Sequence, residues 1–373
     1  MKNNYLPIIL TATAFGLLAG GAGALFANYY SASSGGGLAF NRELNLSNYG
    51  YLSSNLVIRD PKKVVVNQDV KTDETIRDLA VNILGVFPKD EAPGAYYKLN
   101  KPFAQALAAT TDGWIMAAWP KTPAKADLEN IASNYIVIDS SRKIYEIDRV
   151  LSSSDKIGAF VFIHLKNASS LSVRRLVPNN EIKTGQSLLL ATNDDSFLLN
   201  ALGSKVESDS LLSSDLYSQS LRLAYNDDAK PSFVFNLSGE IIGAIDWQGK
   251  WLTAPELDTY WRSLLKTKTL SWPYFGVNYL NLSSVAGNNT LPEKGAKLQD
   301  NGDNLAILKN SPAEKAGLKA GDIITRLNGV ELNSDNDLSA LLSAYNPGDS
   351  VTINYLRNGV SAETEVVLGA IQK

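Results

Sequence analysis

The sequence predicts a mainly β protein of two domains preceded by one membrane-spanning helix, and three observations predict it. An uncharged apolar stretch opens the chain, short apolar runs bounded by turn residues fill its middle, and a second set of strands follows a break at Ser271-Trp272-Pro273. At 373 residues the chain is long for one compact domain, and 45% hydrophobic with 20% charged residues is a globular composition. A formal net charge of -3 gives no electrostatic reason to bind nucleic acid. There is no cysteine, which removes disulfides, thiolate metal sites and a cysteine nucleophile together. One histidine, His164, leaves no His pair for zinc and a single candidate base for a serine, so neither a metal nor another cofactor is expected.

From Tyr5 to Tyr30 no side chain is charged, a length sufficient for a helix to cross a bilayer. Lys2 on its N-terminal side keeps that end in the cytoplasm, so residues 1–30 read as a single-pass anchor with the bulk of the chain extracytoplasmic. A cleaved signal peptide, with Ala22-Gly23-Ala24 as its small-residue site, is the alternative; the apolar length favours the anchor. Residues 31–72 open on SASSGGG and continue polar, which predicts a flexible stalk.

Residues 73–270 carry strand-like runs at Ile83–Phe87, Trp114–Ala118, Tyr135–Ile138, Phe160–Leu165, Ser187–Ala191, Phe233–Phe235 and Glu240–Ile245. Many short strands without long helices predict a barrel or sandwich. A helix over Ala254–Lys266 follows, placing Leu257, Tyr260, Trp261, Leu264 and Leu265 on one face. Residues 271–373 form the second domain. There, Asn328-Gly329 and Asn358-Gly359 predict tight hairpin turns, Asp337–Tyr345 a short amphipathic helix, and Ser350–Arg357 a strand.

The stretch Ser311-Pro312-Ala313-Glu314-Lys315-Ala316-Gly317-Leu318-Lys319-Ala320-Gly321-Asp322-Ile323-Ile324 resembles the most recognisable segment of bacterial PDZ domains. The resemblance implies a β-sandwich with two helices that captures peptide C-termini: the peptide adds as an edge strand and its carboxylate sits in a nest of backbone amides. Tyr274-Phe275-Gly276-Val277 matches the carboxylate-binding loop, and Phe275 and Val277 would line the last side chain's pocket with Leu338 and Leu342. The polar segment from Leu280 to Asn304 is long for this family and is expected to cover part of the groove.

Residues 75–266 resemble the trypsin-like double β-barrel of HtrA proteases. Three segments carry the resemblance: Glu74–Val86, which leads into the first barrel strand; Thr111–Ala118, which resembles the strand delivering the catalytic histidine; and Asn236–Gly243, which resembles the hairpin after the catalytic serine. Carried onto these residues, the triad fails at each position. Trp119-Pro120 stands where the histidine belongs, Gly158 where the aspartate belongs with Asp155 the nearest acid, and Lys230 at or beside the serine. Pro231 lacks the N–H an oxyanion hole needs there.

The resemblance thus implies a pseudoprotease of the bacterial cytoplasmic membrane whose PDZ domain binds peptide C-termini, an adaptor or sensor in envelope protein quality control, with a homotrimer expected by analogy. The alternative is an active HtrA-like serine endopeptidase using His164, or a Ser232–Lys230 dyad. A third is a scaffold with a vestigial groove. The acid pairs Asp194-Asp195 and Asp227-Asp228 read as solvated turns.

Overall fold

The computed structural model describes residues 68–90, 92, 96–152, 158–193, 196–207, 211–225, 231–286, 292–300 and 305–372. The predicted anchor and most of the predicted stalk lie outside these residues. No helix among the described residues is long and apolar enough to cross a membrane.

After a helix, α1 (Gln68–Ala80), six strands close into a barrel in the order β1-β2-β3-β6-β5-β4: β1 (Ile83–Pro88), β2 (Ala104–Ala108), β3 (Trp114–Ala118), β4 (Tyr135–Ile138), β5 (Ile144–Ser152) and β6 (Phe160–Leu165). Short helix α2 (Leu128–Asn134) leads into β4. Closure leaves no free sheet edge and lets β2 and β3 be buried on both faces, one face toward the barrel interior and the other toward the second sheet. Strand β2 is not among the runs the sequence predicts: Ala-Gln-Ala-Leu-Ala has low strand propensity and forms a strand because both faces are buried.

A second six-stranded sheet follows in the order β10-β8-β7-β11-β12-β13: β7 (Ser187–Thr192), β8 (Phe197–Glu207), β10 (Gln219–Leu223), β11 (Ser232–Asn236), β12 (Ile241–Ile245) and β13 (Trp251–Thr253). Its edge strands β10 and β13 come alongside each other, so the sheet curls into a second barrel around Leu188, Leu190, Leu202, Val234 and Ile242. Between β8 and β10 lies β9 (Leu212–Ser213), which joins the C-terminal domain's sheet instead.

Helix α3 (Ala254–Thr267) begins at Thr253, whose backbone N–H donates to Glu256 Oε2 at 2.8 Å, and ends at left-handed Lys268. Leu257, Tyr260, Trp261 and Leu264 are buried against both barrels, each contributing roughly 1.5–3 kcal/mol. Leu265 departs from the expected face: it is 52% exposed, because one further 100° step carries it past the packed stripe.

The C-terminal domain starts at β14 (Ser271–Tyr274), paired with the last strand β21 (Gly369–Gln372). Its main sheet runs β20-β19-β17-β16-β15 through β15 (Asn278–Asn281), β16 (Ala296–Leu298), β17 (Ile323–Leu327), β19 (Ser350–Arg357) and β20 (Val360–Val367), with β18 (Val330–Glu331) paired to β17. Both Asn-Gly turns adopt positive φ at both central residues, 46° and 79° at Asn328-Gly329 and 51° and 82° at Asn358-Gly359, as a primed hairpin requires. Two short helices, α4 (Pro312–Lys315) and α5 (Leu338–Ser343), complete the domain. Trp272, from β14, is buried among the barrel residues and packs at a tilt against the Tyr260 ring, 5.6 Å between centroids, so the two domains share a core.

Candidate functional site

Two places carry the sequence-predicted residues: the crevice between the barrels and the groove beside β15. Trp119, at the end of β3, is buried between the rings of Phe103 (4.9 Å) and Tyr135 (5.4 Å). Pro120 follows on the surface, its carbonyl accepting a hydrogen bond from Gln248 Nε2 at 3.0 Å. Gly158 precedes β6 with φ +104°; a Cβ added there would stand 2.8 Å from Asp246 Oδ2 and 2.9 Å from the Phe160 ring. Asp246 is buried at the β12–β13 turn, where its carboxylate accepts from the N–H groups of Ala159 (3.0 Å), Gln248 (2.9 Å) and Lys250 (2.8 Å). It thereby ties one barrel to the other at the position the aspartate was expected to fill.

Lys230, Asp155 and both acid pairs lie outside the described residues. Pro231 and Ser232, at the start of β11, line a narrow crevice with Gln105, Ala118, Ala191, Asn193 and Phe233. His164 is far from it. In the β3–β6 ladder Ala118 pairs with Phe160 and Trp114 with His164, so the histidine lies four residues, about 13 Å, along the strand from the crevice. Its Nδ1 is 2.7 Å from Asp148 Oδ1 and its ring packs on Trp114 at 5.0 Å, which accounts for it structurally. Among the described residues no cluster of His, Asp and Glu could hold a metal ion.

The groove is built from the loop Tyr274–Val277, strand β15 and helix α5. Gly276, at φ +85°, turns consecutive backbone N–H groups to one side. Those of Phe275 and Gly276 donate to a single carboxylate oxygen, Asp215 Oδ1, at 3.1 and 3.0 Å. Val277 N–H donates to Ser214 Oγ at 3.0 Å, and Ser214 N–H returns a bond to the Val277 carbonyl at 2.9 Å. Immediately before it, β9 pairs antiparallel with β15, Ser213 opposite Asn278 and Leu212 opposite Tyr279. Leu212 is buried in the same cluster as Phe275, Val277, Leu338 and Leu342; Leu341 is half-buried against that cluster. Tyr274 flanks the loop half-buried; burial pushes its hydroxyl pKa up, and the charges of Asp215 and Glu314 add to the rise.

Contacts from the barrels also hold both ends of α5. At its N-terminus Asp337 caps Ala340 N–H (2.7 Å) and accepts from the Tyr279 hydroxyl (2.9 Å) and from Ser218 Oγ, while Ser218 N–H donates to Ser339 Oγ at 3.1 Å. Burial, reinforced by Asp337, keeps the Tyr279 hydroxyl protonated far above its ordinary range. At its C-terminus the Ser343 carbonyl accepts from Thr259 Oγ1 (2.8 Å) and Arg262, and Arg262 Nη1 donates to the Ala344 carbonyl at 2.9 Å. The described part of the Leu280–Asn304 segment includes β16, which flanks β15 on the side away from β9. The second barrel's β9 pairs with the groove edge of β15, and residues 287–291 and 301–304 of the segment expected to cover the groove lie outside the described residues.

Residues 292–368 match the PDZ domain family model. A probable periplasmic serine protease do/HhoA-like of Haemophilus influenzae is 25% identical over 64% of this chain and 55% of its own length. The serine protease Do-like HtrA of Bacillus subtilis is 25% identical over 64% of this chain and 60% of its own. A solved HtrA-type protease, AlgW with decapeptide, covers 81% of this chain and 99% of that chain at a TM-score of 0.46 and 12% identity. The chain is HtrA-like. It spans little more than half the length of the two bacterial relatives it matches in sequence. Two six-stranded barrels precede the PDZ domain. Sequence reasoning missed Ser214, Asp215, Ser218 and Asp246. Their contacts to the PDZ loop, to α5 and across the barrels span 60 or more residues, and a serine or a turn aspartate gives no local signal for such a role.

Proposed function

We propose that this chain is a pseudoprotease: an HtrA-like fold that binds peptide C-termini through its PDZ groove and does not cleave them. The occupied position at Gly158 carries the proposal. A triad aspartate there has neither the backbone conformation nor the space, because Asp246 and Phe160 fill it. The remaining geometry supports the same reading: the chain's single histidine lies about 13 Å along β6 from the crevice, and Pro231 offers no N–H beside Ser232. In the groove, backbone amides that already hold a carboxylate are the chemistry a peptide terminus needs. On this reading the protein acts on the outer face of a bacterial cytoplasmic membrane, which the apolar N-terminal stretch and the HtrA resemblance support, as an adaptor or sensor for damaged envelope proteins, alone or as a homotrimer.

A fluorophosphonate probe on the full chain tests the catalytic half. The expected result is no labelling above that of heat-unfolded protein. Labelling lost in Ser232→Ala establishes the active endopeptidase instead.

A further inference from the structure

We infer that Leu212–Asp215 is a built-in ligand of the PDZ groove, competing in cis for the amides a chain terminus would use, and that its register specifies the termini the groove accepts: a small last residue with leucine two places before it. The specificity half rests on the peptide-binding function proposed above; the occupancy in cis does not. The segment runs antiparallel to β15, and its last backbone bond, Ser214 N–H to the Val277 carbonyl, puts Ser214 where a peptide's final residue would stand. A peptide would then supply its own terminal carboxylate to the Phe275 and Gly276 N–H groups. Here the chain continues, and the side-chain carboxylate of Asp215 reaches those groups from one residue further on. Ser214 is fully buried with its hydroxyl on Val277 N–H, a site matched to a small side chain. Leu212, 3% exposed, fills the apolar part of the groove, and Ser213 between them is half-exposed and reads as unselective.

Ser218 continues the attachment onto Asp337 and Ser339 at the N-terminal end of α5, so the carboxylate loop and that end of the helix are held by one stretch of the second barrel. A tethered ligand acts at an effective concentration of order millimolar, so a free terminus must displace it before binding. Displacement frees part of the connection between β8 and β10, which couples groove occupancy to the second barrel.

Hydrogen–deuterium exchange of the Phe275, Gly276 and Val277 amides in the full chain, combined with fluorescence polarisation using fluorescein-labelled Glu-Ser-Asp-Ser-Leu-Leu-Ser-Ser with a free C-terminus, tests both halves. In the wild type the amides exchange slowly and the peptide binds weakly. In Asp215→Asn, and more strongly in Asp215→Ala, exchange rises at least tenfold and the peptide binds at least tenfold tighter, with the amidated peptide inactive. If exchange rises but no peptide binds, the cis ligand stands and the C-terminus-binding function falls. Wild-type amides exchanging as fast as open loops, or equal peptide affinity in wild type and both variants at unchanged melting temperature, overturns the cis ligand. A peptide ending in leucine instead of serine that binds as tightly overturns the proposed specificity.

Discussion

Restoring an aspartate at residue 158 is the most direct way to ask whether the missing triad is a matter of one residue or of the surrounding structure. Gly158 sits at φ +104°, where a side chain costs roughly 1–2 kcal/mol, and its new Cβ would lie 2.8 Å from the Asp246 carboxylate and 2.9 Å from the Phe160 ring. Relieving such overpacking costs typically about 1–3 kcal/mol. The second carboxylate would also displace the oxygen that accepts from Ala159 N–H, loosening a tie between the barrels. Gly158→Asp is therefore expected to lose about 2–5 kcal/mol, which for a domain of this size lowers the melting temperature by roughly 5–15 °C. Gly158→Ala, which keeps the strain and omits the added charge, should fall between that variant and the wild type. Differential scanning calorimetry of the three proteins decides it. A Gly158→Asp protein melting within a degree of the wild type would show that the position is open and refute the steric account.

Other perturbations have equally definite outcomes. Asp322 is 2% exposed at its side chain and accepts from Arg357 Nε (2.8 Å), Arg357 Nη2 (2.7 Å) and Lys319 N–H (2.8 Å), so Asp322→Ala should cost about 1.5–3 kcal/mol by removing these charge-assisted hydrogen bonds, read by urea unfolding. Gly276→Val would put a Cβ 2.3 Å from Ser311 Cβ, so it should unfold the PDZ domain as well as block the loop, seen by circular dichroism as lost β-structure alongside lost binding. Hydrogen bonds from Asn236 and then Arg175 hold the Glu240 carboxyl below its ordinary value of 4.5. Its stabilising contribution is present above that value and lost as pH falls through the folded-state pKa, so the stability gap between wild type and Glu240→Gln should close as pH is lowered from 7 toward 3. Trp272→Ala should cost about 3–5 kcal/mol and loosen the PDZ domain from the barrels, seen as a second calorimetric transition.

What the sequence disclosed follows the range of the interactions involved. The strands Trp114–Ala118, Tyr135–Ile138 and Phe160–Leu165 were legible to the residue because their apolar runs are bounded by turn residues. Both Asn-Gly turns were legible because their positive φ angles are a local demand. Strands β5 and β10 alternate buried with exposed residues over parts of their length, but Arg149 and Arg222 interrupt their apolar content and both were passed over. The segment at Leu212–Asp215 was not legible at all. Its two-residue strand takes its meaning from Phe275–Tyr279, more than 60 residues downstream, and nothing in Leu-Ser-Ser-Asp distinguishes a groove ligand from a polar turn. The crevice was legible only as an absence of triad residues; that Asp246 fills the space beside Gly158 required the fold.

The pseudoprotease assignment is tested most directly by incubating the full chain with an unfolded protein substrate and identifying any products by mass spectrometry. The account predicts no cleavage above the substrate-alone control, for the wild type and for Asp215→Ala with its groove opened. Cleavage by either protein that disappears in His164→Ala or Ser232→Ala would contradict it.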